Sequence, residues 1–229
     1  MKKPLVSIII PVKDDGIYAV KLLKSLRKDP YENLEIIFID DGSKDDSAEK
    51  IKNFALEEEL RNVHLFRQEH EGTYAARNLG VEKSSGEYII FLDPNDDIDK
   101  NFITALMLTT INGDQTLAMT GILKQLGAEK TKVLYSTLTL DKKPKETTKF
   151  YRERLFKKDD RLHFLNNKLF LSKIIKDHEL KFEKPKKDEK ETSELKFIKK
   201  YVKLGDIENF VTINKPLYIL KCRASHRRS

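Results

Sequence analysis

The chain has 229 residues, 39% apolar and 35% charged, enough for one sizeable core beneath a heavily charged surface, and no apolar run reaches the roughly 20 residues of a membrane-spanning helix. Its net charge of +7 is uneven: residues 1–140 carry 18 Lys and Arg against 23 Asp and Glu, whereas residues 141–229 carry 26 against 14. One cysteine, Cys222, excludes an internal disulfide framework and fits a reducing compartment, and no zinc-finger spacing, RNA-binding signature or aromatic-interleaved basic patch points to nucleic acid.

The start, MKK, is basic, but the apolar run after it is too short for a signal peptide. LVSIII (5–10) reads instead as a buried strand, continuous and β-branched. A helix over 17–27 follows, with Val20, Leu22, Leu23 and Leu26 on its apolar face. LEIIFID (34–40) is a second buried strand, ended by DDGS. Ser43 or Asp45 can cap the next helix, which carries Ala48, Ile51, Phe54 and Ala55 at helical spacing. VHLFRQ (63–68) is the third strand, TYAARNLGVEKS (73–84) the third helix and YIIFLD (88–93) the fourth strand.

Strands alternating with helices imply right-handed βαβ units, an α/β fold and a largely parallel sheet. Ligands of such sheets bind at the carboxyl ends of the strands. That rule brings PVKDD, DDGS, QEHEG and DPNDD, the segments after the four strands, to one rim.

Beyond residue 100 the pattern loosens. A helix near 101–111 precedes two strands, TLAMTGILKQL and VLYSTLTL, joined by a turn around Gly127. Residues 141–160 are charged and read as a loop with a short helix. NKLFLSKIIKDH is a strand end running into a helix, 189–204 a strongly charged helix, ENFVTINKPLYIL the final strands and CRASHRRS (222–229) a basic tail.

SIIIPVKDD, LEIIFIDDGSKDDS, GTYAARNLGVEKSSGEYIIFLDPNDD and NNKLF together resemble, in this order, the pattern of family 2 glycosyltransferases. The resemblance is dense over the first 98 residues and sparse beyond. It implies the GT-A fold, a Rossmann-like α/β architecture with a mixed, mostly parallel central sheet flanked by helices. Residues 1–98 would form the nucleotide-sugar-binding βαβ half and 99–221 the acceptor-binding half of one domain.

The resemblance also implies roles. Pro11 and Val12 would line the base, and Asp41 would accept a hydrogen bond from a uracil ring nitrogen, a task that suits a carboxylate. The plain alternative for Asp41 is an Asx-type turn. Lys13 stands where the family usually has an aromatic residue, exchanging stacking for a charge that could reach a phosphate. His70 occupies a position that is commonly asparagine, as a nucleotide contact or a surface histidine. Arg77 would contact the diphosphate or brace the acidic loop, or pair with Asp93 or Asp41.

At FLDPNDD the family usually shows Asp-x-Asp-Asp, a site for a divalent cation that stabilises the diphosphate leaving group. Asp93 keeps the first position and Asn95 replaces the second, so a site for Mn²⁺ or Mg²⁺ is expected with one charge missing. Asp96 or Asp97 could restore that charge, or Asp97 could cap the next helix. The family's general base lies near the start of a late helix. Aligning Phe197 puts Glu194 there, with Ser193 in place of a preceding acid. At about 100° per residue Glu194 also shares the inward face with Phe197, Ile198 and Tyr201. Asp188 and Glu191 remain open as alternatives.

The expected function is an inverting transfer of sugar from a UDP-sugar to a hydroxyl of a cell-surface glycan. The basic C-terminal portion suggests an anionic or lipid-linked acceptor such as a teichoic acid or capsule, unless those lysines form only a solvated surface. Cytoplasmic placement, with peripheral contact at the inner face of a membrane, goes with this reading. The rival is a catalytically weak module that binds or positions an anionic polymer, suggested by the departures at Lys13, His70, Asn95 and Ser193. A nucleotidyltransferase would need a glycine-rich N-terminal loop, which the sequence lacks.

Overall fold

In the structure, a computed structural model, residues 3–110, 117–125, 131–135, 164–189, 191–204 and 210–221 are described. The apolar runs of the N-terminal part become parallel strands with helical crossovers: β1 (Val6–Val12), α1 (Gly16–Leu26), β2 (Leu34–Asp41), α2 (Ser47–Glu57), β3 (Val63–Gln68), α3 (Thr73–Lys83) and β4 (Tyr88–Phe91). Next come β5 (Asp97–Ile98), α4 (Phe102–Leu108), β6 (Leu117–Gln125), β7 (Thr131–Tyr135), β8 (Lys168–Leu171), α5 (Ser172–Asp177), α6 (Ser193–Leu204) and β9 (Phe210–Lys221). The described strands form one sheet in the order β3-β2-β1-β4-β8-β6-β9-β5, with β7 beside β6.

β1 pairs in parallel with β2 and β4, and β2 with β3. β8 runs antiparallel to both β4 and β6, while β6 and β9 are parallel. The sheet is therefore mixed, and its parallel segment holds the four strand ends that share a rim. The side-chain alternation of a strand divides the core. Val6, Ile8, Ile10 and Val12 pack with Leu22, Leu23, Ile51 and Phe102 on one face. Ile9, Phe91 and Phe170 pack with Phe182, Phe197 and Tyr201 on the other.

Several local expectations are corrected. Neither Ser43 nor Asp45 is the N-cap of α2, which is Asp46; the Ser43 hydroxyl accepts from the Asp14 amide at 3.0 Å, and Asp45 accepts from the Ser47 amide at 3.0 Å from the position before the cap. Asp97 does not cap α4: it lies in β5 opposite Ile219, and its carboxylate accepts from the Ser25 hydroxyl at 2.8 Å. The free amides of α4 go instead to Asp29, which accepts from Ile103 N at 2.7 Å and Thr104 N at 3.1 Å. The charged late helix begins at Ser193 rather than 189; residues 183–189, 191 and 192 are turn or irregular. The expected loop and short helix at 141–160 and the tail at 222–229 lie outside the described residues.

The crossing of α1 and α2 sets the loops at the rim. The Gly16 amide donates to the Ser47 hydroxyl at 2.8 Å, and a Cβ on Gly16 would lie 2.5 Å from the Ser47 Cα. Gly16→Ala is expected to push the two helix starts apart at a cost of about 1–3 kcal/mol, the usual range for overpacking. Urea unfolding would show this as a lower midpoint at an unchanged slope.

The NNKLF block forms a buried polar knot. Asn167 exchanges hydrogen bonds with the Thr120 backbone, donating through Nδ2 at 2.6 Å. Lys168, 1% exposed, donates to the Phe164 carbonyl and to Asn167 Oδ1. Burial pushes its ammonium down to about 7. The unfolded chain holds that proton to about pH 10.4, so between pH 7 and 10 it binds more protons than the folded one. Stability should therefore rise with pH over this window, by up to about 1.4 kcal/mol per unit. Lys168→Met should remove that rise, as measured by urea titrations at pH 7, 8.5 and 10.

Candidate active site at the strand ends

A cleft of about 510 Å³ opens over the carboxyl ends of β1, β2 and β4. The ten residues given a direct role in the site line it, whereas Asp97, the other candidate for the missing charge, does not. Pro11, Val12 and Lys13 come from the end of β1, Asp41 from β2 and His70 from the loop after β3. Arg77 comes from α3, Asp93, Asn95 and Asp96 from the turn after β4, and Glu194 from the first turn of α6.

Arg77 joins the two acidic walls. It is 3% exposed, donates from Nη2 to Asp93 Oδ1 at 3.0 Å and donates from Nη1 to Glu194 Oε1. Its guanidinium also lies 5.6 Å from the centre of the Phe182 ring. That ring stacks on Phe197 at 4.0 Å, and Phe91 meets both edge-on, so aromatic packing fixes the start of α6. Burial would raise the Glu194 carboxyl, but the Arg77 charge and the hydrogen bonds around it hold it below the ordinary range. The carboxylate is thus ionised near neutral pH.

Asp188 and Glu191 do not line the cleft; Glu191 accepts from Lys199 at 2.6 Å, and Asp188 sits exposed in a turn. Ser193 is buried and donates to the Glu183 carbonyl at 2.7 Å, bracing the loop before α6.

At the other wall the Asp96 amide closes a turn onto the Asp93 carbonyl at 3.2 Å. The Asp96 carboxylate accepts a hydrogen bond from the buried Tyr218 hydroxyl. Burial, reinforced by the Asp96 and Asp93 charges, raises the Tyr218 phenol well above its ordinary value, so it stays a donor. Asn95 donates to Asp15 Oδ2 at 3.2 Å, while its own Oδ1 is buried without a hydrogen-bond partner among the described residues. Among those residues no three His, Cys, Asp or Glu side chains converge as a metal cage. The wall instead offers the Asp93 and Asp96 carboxylates and the partnerless Asn95 carbonyl. These hard oxygens suit Mn²⁺ or Mg²⁺, which take further ligands from phosphate and water.

At the opposite end the charged groups are held by hydrogen bonds within the chain. Asp41, 3% exposed, accepts from Gln68 Nε2 at 2.8 Å, from His70 Nδ1 at 2.8 Å and from the Glu71 and Gly72 amides at 3.0 Å each. Burial alone would raise its carboxyl, but these donors hold it below the ordinary range. Lys13 points its ammonium to the Gly42 carbonyl at 3.4 Å. Asp15, Tyr218 and Gln68 were not singled out from the sequence. Asp15 stands in the rim segment PVKDD, but nothing near Tyr218 in the sequence marks it.

Residues 7–177 match the family model described as "Glycosyl transferase family 2". An "Uncharacterized glycosyltransferase" of Haemophilus influenzae is 43% identical over 98 residues, 43% of this chain and 39% of that protein. "Putative glycosyltransferase EpsH" of Bacillus subtilis is 32% identical over 185 residues, 80% of this chain and 51% of that protein. Among solved structures, S. aureus TarS 1-349 in complex with UDP-GlcNAc superposes with a TM-score of 0.75 at 17% identity, over 97% of this chain and 60% of that one. The mannosyltransferase PcManGT of Pyrobaculum calidifontis, in complex with GDP-Man and Mn2+, gives 0.68 at 12% identity, over 100% of this chain and 59% of that one. The chain thus spans about 40–50% of the length of these two curated relatives.

Proposed function

The chain belongs to glycosyltransferase family 2 and has the GT-A fold, and from that premise we propose that it transfers a hexosyl or N-acetylhexosaminyl group from a UDP-sugar to an acceptor hydroxyl with inversion. The observation that carries this reading is Arg77 holding Asp93 and Glu194 on either side of one cleft. The acceptor oxygen attacks the anomeric carbon as the bond to the diphosphate oxygen breaks on the opposite side. Glu194, ionised near neutral pH, takes the hydroxyl proton. Arg77 keeps the Glu194 carboxylate aimed into the cleft and offsets the charge gathering beside Asp93. A divalent cation on Asp93, Asn95 and Asp96 would supply charge stabilisation to the departing diphosphate.

For the acceptor, an anionic or lipid-linked wall glycan, such as a teichoic acid or capsule polymer, fits the basic balance of residues 141–229. Part of that charge is already spent inside the fold: Lys196, Lys199 and Lys200 of α6 pair with Glu183, Glu189 and Glu191. Among the described residues no helix is long and apolar enough to cross a membrane. Peripheral contact with an inner membrane face would bring a lipid-linked acceptor to the cleft. Calorimetric titration of UDP with and without Mn²⁺ tests the donor reading. Metal-dependent binding is expected, and no binding under either condition would overturn it in favour of a polymer-positioning module.

A further inference from the structure

We infer that two copies of this chain join edge to edge through β3, antiparallel across a two-fold axis at Leu65, into one continuous sheet. The inference is independent of the transferase reading. β3 ends the sheet and pairs only with β2 among the described strands. Natural edge strands are usually blunted by lysine, proline or a bulge. VHLFRQ has no lysine or proline, and its register with β2 runs without a bulge. The Ile36 amide donates to the Asn62 carbonyl at 2.8 Å, which sets the direction of the backbone groups along β3. Asn62, His64 and Phe66 turn theirs toward β2, so Val63, Leu65 and Arg67 turn theirs outward.

That parity limits how the edge can meet itself. Antiparallel strands bond through residues that exchange both N–H···O bonds, so an outward residue must face an outward residue. With Leu65 opposite its own twin, Val63 faces Arg67, and Arg61 faces Glu69 at each end of the seam. Arg61 and Glu69 are exposed and make no ion pair among the described residues, so both are available to pair across the seam. Slipping one copy by two residues in one direction sets Arg61 against Arg67, a like-charge clash. The slip in the other direction sets Glu69 against Val63 and Arg67 against Leu65, with no gain in cover for the apolar side chains. In the favoured register Arg67 stays with its own chain, donating to the Ser43 carbonyl at 3.0 Å with Nε 3.5 Å from Asp40 Oδ2. Beside the strand an apolar groove of about 530 Å³ is walled by Ile51, Ala55, Leu56, Leu60, Val63 and Leu65, and Leu56 is 79% exposed. Because Leu65 lies on the axis and also lines this groove, the two grooves meet at the seam, and pairing takes their apolar walls out of water.

The test combines sedimentation with cross-linking on the full chain, with thermal melts to verify folding. Wild type should sediment as a dimer at micromolar concentrations. Arg61→Glu or Glu69→Arg alone should weaken self-association by about tenfold or more, since each turns two exposed attractions into repulsions, and the double exchange should restore it. In a Cys222→Ser background, Leu65→Cys should give a disulfide-linked dimer under mild oxidation, because directly paired residues hold their Cα atoms about 5.5 Å apart, within disulfide reach. Val63→Cys should not, because its twin lies roughly 14 Å away along the seam. A wild type that stays monomeric throughout the micromolar range overturns the inference. So does a dimer that neither single exchange weakens, or a folded Leu65→Cys dimer that does not link; the copies then meet elsewhere, and the transferase reading stands in each case.

Discussion

Glu194→Gln is expected to lower the rate of sugar transfer by about 10²–10⁴-fold, the usual contribution of a general base, with UDP affinity little changed. The carboxylate stands in the first turn of α6, with Arg77 on one side and the cleft on the other. Glutamine keeps the shape and an oxygen for the Arg77 bond but cannot take the acceptor proton. Initial rates of donor consumption with and without acceptor would separate transfer from hydrolysis. Because the Glu194 carboxyl lies below its ordinary range, the acid limb of the wild-type rate profile should fall below about pH 4.3, the usual glutamate value. If Glu194→Gln retained more than a tenth of the rate, proton removal would not depend on this residue.

The second large effect is at Asp93. Asp93→Asn should abolish the metal-dependent part of UDP binding and lower transfer by about 10²–10³-fold or more. Losing several kcal/mol of charge stabilisation on the leaving group corresponds to that factor at 1.36 kcal/mol per decade. Asp93→Ala should do the same and also lower the melting temperature. Asn keeps an oxygen for the Arg77 hydrogen bond, whereas Ala leaves the buried Arg77 with Glu194 as its remaining ion-pair partner among the described residues, and weakening a buried charge network is costly. Comparing the two variants separates folding from chemistry: equal loss of metal-dependent binding with unequal melting is the expected pattern. Unchanged UDP affinity and metal response in Asp93→Asn would remove the turn after β4 from the site.

Much of the parallel segment is legible without coordinates, since the buried runs at 5–10 and 34–40 are local signals. The strand-end rule then places PVKDD, DDGS, QEHEG and DPNDD together before any contact is known. Glu194 was reachable through the family resemblance, which places an acid three residues before Phe197, with its position on the inward helix face as a second check. The contacts that decide each group's role were not. Tyr218 meets Asp96 across 122 residues, Asn95 meets Asp15 across 80, and Asp29 caps α4 across 74. No periodicity or spacing in the chain marks such pairs.

FLDPNDD makes the division concrete. Local pattern alone put four oxygen-bearing side chains at a strand end, with an amide in the place of an acid. The fold then gave each a different fate: Asp93 to Arg77, Asp96 to a tyrosine hydroxyl, Asp97 to the Ser25 hydroxyl, and the Asn95 carbonyl buried without a hydrogen-bond partner among the described residues. Asp41 is the mirror case, an acid whose type suits base recognition and whose oxygens also hold Gln68 at the end of β3 and the loop that follows it. Residue types and strand order follow from short-range chemistry along the chain. Which lone pairs remain open to a ligand depends on donors brought from far along it, and folding alone brings them.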